Sequence, residues 1–317
     1  MATKTAFAGE KKLKRKINER DITLICMASV SLVFLAVFAY LPMAGILFGF
    51  KNGNKSLNII KAMFKSEWTL NNFKSLFADQ DFWHVFGNTV KINLLMLLFN
   101  FPIPIIFALL LNEVKHKYFR GTVQMISNFP HFISWVVYGG IVIALTDANT
   151  GVVNPILEAI GLSSKDNPVD LNLAQYFYPK IIIVSIIKGT GWGSIVYTAA
   201  ISGIDQSLYE AAIIDGANRA DQAWHVTLPQ ITPTIMVFLL LNVSRLMNNS
   251  FEQFYIFQTT ANQSATRVLA TYMYSLGFTY GNYSTATALS LFEGIISLVL
   301  LTSTNAIAKK LTGEGIY

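Results

Sequence analysis

The sequence predicts an all-α polytopic membrane protein with six transmembrane helices, both termini inside, and one helical loop on the inner side. Three observations predict it. The 317 residues are 53% hydrophobic and only 13% charged. The apolar residues come in runs near 20 or longer, the length a bilayer core of about 30 Å demands of a helix rising about 1.5 Å per residue. None of the runs alternates as a membrane strand would, and only helices or closed barrels satisfy their backbone groups in lipid.

The runs place spans at about 23–50, 87–111, 122–145, 179–203, 229–247 and 285–308. The first follows "KKLKRKINERD" and stays uncharged from Ile22 to Phe50. That exceeds the roughly 7–15 residues of a signal-peptide core, and no A-x-A site closes it, so it reads as a retained span. The single cysteine, Cys26, reads as a small buried apolar residue and excludes a disulfide framework within the chain. In the second span, Pro102 and Pro104 of "NFPIPIIFALLLNE" each remove a backbone donor, which predicts a bend. The third carries Pro130 and the pair Gly139–Gly140. Breaks of this kind need partners from neighbouring helices, so the spans form a packed bundle.

Lysine and arginine set the orientation. With the N-terminus inside, the inner segments hold thirteen: seven in the first 20 residues, then Lys115, Lys117, Arg120, Arg219, Lys309 and Lys310. The outer loops hold seven: Lys51, Lys55, Lys61, Lys65, Lys74, Lys165 and Arg267. This bias supports N-in and C-in, although five lysines in the first outer loop are a misfit. It also accounts for the net charge of +6 better than nucleic acid does. The domain reading is a cytoplasmic basic tail at 1–21, a membrane domain at 22–310 with an inner loop at 204–229, and a cytoplasmic tail at 311–317.

Three outer loops remain, at about 51–86, 146–178 and 248–284. In the first, Thr69 of "SEWTLNNFKSLF" is a candidate N-cap for a short amphipathic helix. The second is acidic, and the third is rich in Asn, Thr and Tyr. N-x-S triplets at Asn54, Asn248, Asn262 and Asn282 fall on these loops.

Enzyme signals fail. There is no GxxxxGK[ST] loop and no GxSxG elbow. "GTGWGS" at Gly189 to Ser194 lacks a third glycine and a preceding strand, so it reads as small residues that let helices approach. His84, His116, His131 and His225 show no ligand spacing, and no metal site or catalytic residue is predicted.

Polar residues inside spans are costly, and by default they face a bundle interior or a water-filled path. The candidates are Asn88, Asn93 and Asn100, then Trp192 and Tyr197, then Asn242, Arg245, Asn248 and Asn249, with Glu252 just beyond. Glu293 lies in the last span. Asn242, Arg245 and Asn249 recur at i, i+3 and i+7, which puts them on one helical face. Two readings stand for these residues: hydrogen bonds between helices, or a solute pathway. Arg245 and Lys188 also fit as residues that snorkel to an interface.

The polar stretch "EAAIIDGANRADQAWHVTLP", Glu210 to Pro229, interrupts the apolar pattern between the fourth and fifth spans. Good helix formers precede Gly216, a break or cap. "ANRADQAWHVT" resumes a second short helix, and Pro229 suits the first turn of the next span. Ala212, Gly216 and Ala220 recur at intervals of four and let another surface approach, while Glu210 and Asp215 offer acceptors to basic groups. A plain cytosolic loop is the competing reading.

The spacing Glu210-Ala211-Ala212, three residues, Gly216, nine residues, Val226-x-Leu228-Pro229 resembles the EAA-x3-G-x9-I-x-LP pattern of binding-protein-dependent ABC importer permeases, with Val for Ile the one departure. The segments "GWGSIVYTAAISGIDQSLYEAA", "FPHFISW", "SFEQFYIF", "TYMYSLGF", "NNFKSLFADQDFWHVFGNT" and "KKLTGEGIY" are similar to the polysaccharide and oligosaccharide branch, and the likeness runs from about Leu24 to the C-terminus. The resemblance implies a pore-forming subunit of an ATP-driven importer in a bacterial cytoplasmic (inner) membrane. Its partners would be a second permease subunit, two ATPase subunits and an extracytoplasmic solute-binding protein that delivers an oligosaccharide or polysaccharide, an acidic glycan such as alginate included.

The resemblance also assigns residues. Glu210, Ala211, Ala212, Asp215, Gly216, Ala217, Leu228 and Pro229 would form a coupling-helix loop that docks on the ATPase. Glu210 would meet a basic ATPase residue, and Gly216 would form the bend. Asn88, Asn93, Trp192, Tyr197, Asn242, Arg245, Asn249 and Glu252 remain the candidate pathway. The chain itself would bind no cofactor, ATP and Mg lying on the partner ATPase. A stand-alone ion-coupled carrier or an intramembrane enzyme is the alternative. A carrier of that kind calls for paired carboxylates or broken helices in matching halves, and Glu293 is the lone carboxylate well inside a span.

Overall fold

A computed structural model of the chain describes residues 18–52, 64, 66–164 and 166–312. Most of the two expected tails, Lys55, Lys61, Lys65, Lys165 and the Asn54 triplet lie outside the described residues. Among those described, every regular element is helical, apart from isolated bridges between Lys51 and Trp68 and between Ser164 and Asn167. Five helices are long and apolar enough to cross a membrane: Glu19–Phe50, Gln80–Asn112, Ala174–Ser202, Arg219–Ser244 and Tyr283–Lys310. They correspond to five of the six expected spans.

The chain separates into two compact units, one ending at Leu47 and one beginning at Phe48. In the first, α1 (Glu19–Leu35) opens at Asn18, whose N–H donates to Asp21 Oδ2 at 3.1 Å. Its side chains are exposed, and so is Cys26, which was expected to be buried. A π turn at Ala36–Tyr40 follows, in which the Leu41 N–H reaches Ala36 O. Pro42, next in line, has no N–H to continue an i→i−4 ladder, and the wider turn absorbs the misfit.

In the second unit, α2 (Asn71–Ala78) precedes α3 (Gln80–Asn100) and α4 (Pro102–Asn112). Thr69 does not occupy the N-cap position of α2, which falls on Leu70; its Oγ1 accepts from the Asn71 N–H at 3.1 Å. Asp79 caps α3 by accepting from the Asp81 N–H at 3.0 Å. The ladder is interrupted at Phe101, where Pro102 and Pro104 withhold their donors, yet α3 and α4 still form one candidate span.

The expected span 122–145 takes a different form. It is two helices, α5 (Lys117–Phe132) and α6 (Trp135–Leu145), bent by 101° at the break. Pro130 weakens the end of α5, and Ser134 caps α6 by accepting from the Val137 N–H at 3.3 Å. The carbonyls freed there are bound by one side chain. Lys188 Nζ donates to Pro130 O at 2.8 Å, to His131 O at 3.2 Å, and to Ile133 O. Lys188 is buried and lies 5.1 and 5.3 Å from the ring centres of Trp135 and Tyr138, so it does not snorkel to an edge.

Lys188 belongs to α8 (Ala174–Ser202), which follows the short α7 (Val153–Ala159) and packs against α4 and α5. Gly191 makes the approach possible: a Cβ there would stand 2.2 Å from the Ser127 carbonyl oxygen of α5. After α9 (Gln206–Ile214) and α10 (Arg219–Gln222), a π turn at Ala223–Thr227 leads into α11 (Leu228–Ser244). Here too the wide turn comes just before a proline, Pro229. The second helix of the inner loop is therefore no separate element: Arg219–Ser244 is one candidate span of 26 residues.

The segment expected as an outer loop, 248–284, carries short helices of its own. It folds into α12 (Phe251–Tyr255), α13 (Gln263–Thr266), α14 (Leu269–Tyr274) and a π turn at Ser275–Thr279 before α15 (Tyr283–Thr312). Phe254, Val268 and Leu269 are fully buried and share cores with Ile92, Phe177, Ile181 and Leu289. Asn262, of the third outer-loop N-x-S triplet, is buried and donates to Asn172 O and Phe257 O, both at 2.9 Å. A non-helical backbone is tolerated inside a membrane bundle where protein supplies such bonds.

Replacing Lys188 with Met would leave the His131 and Ile133 carbonyls without that donor, while Pro130 O keeps the Ile133 N–H at 3.4 Å; each carbonyl left bare costs about 1–3 kcal/mol when buried. The expected outcome is a clear drop in the melting temperature of the detergent-purified protein, partly recovered in Lys188→Arg. A Lys188→Met melt equal to the parent's would show that the break has other partners.

Candidate functional site

The first candidate region is the hairpin of α9 and α10. Asp205 caps α9 by accepting from the Ser207 N–H at 2.9 Å, and this bond holds its carboxyl below the ordinary carboxylate range. α9 ends where the Gly216 N–H reaches Ile213 O at 3.0 Å and the Ala217 N–H reaches Ala212 O at 2.9 Å. This closing pattern requires a left-handed residue, and Gly216 supplies it with φ of +81°. Asn218 and Asp221 then cap α10 reciprocally, at 3.0 and 3.1 Å.

The hairpin is held from within. Tyr209 Oη and Thr227 Oγ1 are 2.9 Å apart, and Gln222 Nε2 donates to Ala217 O at 3.0 Å. Arg219 pairs with Glu113 at the end of α4 at 3.2 Å. Of the eight residues assigned to coupling, Glu210, Ala211, Asp215, Gly216 and Pro229 are exposed, and Ala212, Ala217 and Leu228 are half-buried. The sequence reading did not single out the exposed apolar side chains beside them: Ile213 at 60%, Ile214 at 86% and Trp224 at 67%.

The second candidate region is a cavity of about 380 Å³ between the α3–α4 junction, α8, the end of α11 and the segment after it. Six of the eight candidate pathway residues line it: Asn93, Trp192, Tyr197, Asn242, Arg245 and Asn249. They are not equivalent. Asn93 and Asn249 form a reciprocal amide pair at 3.0 and 2.8 Å, and Asn93 also donates to Leu246 O at 2.6 Å. Both are committed to holding α3 against the turn after α11. Asn242 donates to Phe238 O on its own helix at 2.8 Å and is exposed. Trp192 stacks on His131 at 4.6 Å with 1° between the rings and is half-exposed. Tyr197 packs on Phe238 with ring centres 5.9 Å apart.

Asn88 and Glu252 lie outside the cavity lining. Asn88 donates to Ala265 O and Arg267 O, both at 2.8 Å, and accepts from Tyr178 Oη at 2.7 Å. Glu252 is exposed on α12. The α11 helix ends at Ser244, so Asn242, Arg245 and Asn249 share a cavity without sharing a helical face.

Two features went unread in the sequence. Gln253 lines the cavity and donates to Ser185 Oγ at 2.8 Å. Beside it runs a series of rings: Phe251 to Tyr255 at 4.8 Å, Phe251 to Tyr274 at 4.7 Å and Tyr274 to Phe278 at 5.1 Å. The signal was present as i, i+4 spacing, Asn249 to Gln253, Phe251 to Tyr255 and Tyr274 to Phe278, in segments taken for loop.

Residues 100–312 match the family described as "Binding-protein-dependent transport system inner membrane component". The chain is 38% identical over 300 residues to protein LplB of Bacillus subtilis, covering 94% of this chain and 92% of that one. It is 35% identical over 314 residues to the polygalacturonan/rhamnogalacturonan transport system permease protein YteP of the same organism, covering 97% and 95%. Among solved structures, it superimposes with a TM-score of 0.83 and 34% identity on a bacterial ABC transporter involved in import of the acidic polysaccharide alginate, covering 93% of this chain and 97% of that chain. A second structure, the bacterial alginate transporter in complex with an alginate pentasaccharide-bound periplasmic protein, matches at 0.83 and 34%, covering 94% and 98%.

The geometry separates open from committed cavity residues, and thiol labelling reads the difference. In a Cys26→Ser background, cysteines at Asn242 and Trp192 are expected to react with a membrane-impermeant maleimide at least about tenfold faster than one at Asn88, since reactivity follows exposure. Equal rates at all three positions would contradict the assignment.

Proposed function

The chain belongs to the family of binding-protein-dependent transport system inner membrane components, and from that premise we propose how its two regions divide the work of a pore-forming ABC importer permease. The chain is multi-pass, and in our reading it lies in the bacterial cytoplasmic (inner) membrane with both ends inside. Residues 22–310 form the permease domain with the coupling loop at 204–229, flanked by inner tails at 1–21 and 311–317. It assembles with a second permease subunit, two ATPase subunits and an extracytoplasmic solute-binding protein. ATP and Mg belong to the ATPase subunits, and this chain holds no cofactor.

One observation carries the coupling assignment. The hairpin is capped and bonded from within, yet it leaves Glu210, the Gly216 bend, Ile213, Ile214 and Trp224 uncovered at its surface. An internally fixed element with an exposed apolar patch beside a carboxylate is suited to a groove on a partner that offers apolar walls and a basic group. Closure of the ATPase pair on ATP would move the hairpin and exchange outward-facing for inward-facing states, one equilibrium biased from both ends.

The cavity is the solute path in this reading. Amides bond sugar hydroxyls, and rings stack on sugar faces, so Asn242, Gln253, Trp192 and the Phe251–Tyr255–Tyr274 series suit an oligosaccharide or polysaccharide chain. The glycans named for YteP and for the solved alginate transporters point the same way.

Reconstituting the assembled complex in vesicles tests the coupling role. Gly216→Val places a β-branched residue at positive φ, costing about 1–2 kcal/mol, and Glu210→Lys reverses the surface charge. Both variants are expected to assemble and hydrolyse ATP while glycan uptake per ATP falls. Parent-like uptake per ATP in both would refute the docking role.

A further inference from the structure

The cavity wall is neutral except at one place. Among the described residues lining it, Arg245 carries the only permanent charge, amid asparagines, a glutamine, a serine and apolar side chains. Arg245 forms the C-cap of α11, with φ −95° and ψ 7°, where the chain leaves the helix, and its side chain is exposed. Its guanidinium makes no hydrogen bond or ion pair with any described residue.

Other cations of the bundle are answered by the fold. Lys188 binds three carbonyls, and Lys180 binds Thr146 Oγ1 at 3.1 Å and Asn172 Oδ1 at 2.6 Å. Lys91 lies 4.2 Å from the ring centre of Tyr178. Arg267 pairs with Asp81 at 3.2 Å and lies 4.8 Å from the ring centre of Tyr272. A bundle that engages these cations leaves the one in its cavity open. Of the neighbouring amides, Asn93 and Asn249 have their acceptor oxygens spent on each other.

We propose that Arg245 is the charge-selecting residue of the cavity, recognising the carboxylate of an acidic sugar unit. A guanidinium presents a planar fork of donors that matches a carboxylate in two parallel bonds. In a partly desolvated, neutral cavity such a pair gains strength over its value in water, while a neutral sugar leaves the charge without a counterpart. Arg245 thus sets the chemical class of the glycan, and the amides and rings follow its shape. The inference rests on the glycan-import reading and adds the charge of the solute to it.

The test compares two probes, a linear trisaccharide of hexuronic acid and the same trisaccharide with its carboxyl groups reduced to alcohols. Each is titrated against the detergent-purified complex without binding protein, which removes that protein's own preference, and uptake into vesicles with binding protein is measured alongside. Arg245→Gln is expected to weaken binding of the acidic probe by at least about tenfold while changing the neutral probe by less than about twofold, with Arg245→Lys in between. Equal losses for both probes, or none, would overturn the inference and assign Arg245 to a contact with the second permease subunit or a lipid headgroup. A parent complex that binds and imports neither probe would overturn the glycan-import reading and this inference with it. Import of both probes unaffected by Arg245→Gln would leave that reading standing and overturn this inference alone.

Discussion

Backbone groups released at a break inside a membrane bundle must find partners in the protein, because lipid offers none. The bonds that Lys188 makes across the α5–α6 break answer this demand where the two helices meet at 101°. Asparagines answer it elsewhere. Asn88 holds the Ala265 and Arg267 carbonyls at the end of α13, Asn93 and Asn249 lock α3 to the turn after α11, and Asn262 closes the segment before α13. Each of these side chains reaches across a long sequence separation or closes a turn, so each break is also a point where elements are fixed against one another.

That economy shapes the cavity. Amides that hold helices together are unavailable to a solute, and the ones that remain, with Arg245 and the half-exposed Trp192, define what the wall offers. The close contact at Gly191 and Ser127 brings α5 against α8, and the stack of His131 on Trp192 follows from that approach. The residues that fix the helices and those that face the cavity are thus neighbours drawn from the same helices.

Much of this was legible in the sequence. Run length located five spans, because hydropathy counts the residues needed to cross a bilayer. The hairpin was legible because helix ends obey local rules: Gly216 at positive φ and the Asn218–Asp221 cap depend on residues a few positions apart. The grouping of Asn93, Trp192, Tyr197, Asn242, Arg245 and Asn249 was legible from polarity within spans. What sequence did not disclose was where the backbone turns while staying buried. The 248–284 segment reads as an outer loop rich in Asn, Thr and Tyr, and the sequence does not show that several of these polar groups are spent on internal bonds. For Lys188 an interfacial position stays open at the sequence level, because sequence does not show which carbonyls stand within its reach. Asn88 looked equivalent to Asn93 for the same reason.

The π turn before Pro229 keeps Arg219–Ser244 continuous, and this has a mechanical consequence. The two ends of that single helix are the hairpin surface and the rim of the cavity. At about 1.5 Å per residue its 26 residues make a rod of roughly 39 Å. A tilt of about 10° at the hairpin end would swing the far end through roughly 7 Å, more than one helical turn of about 5.4 Å. Leverage of this kind turns a small displacement at the hairpin into a large one at the cavity rim, with no relay of side chains in between.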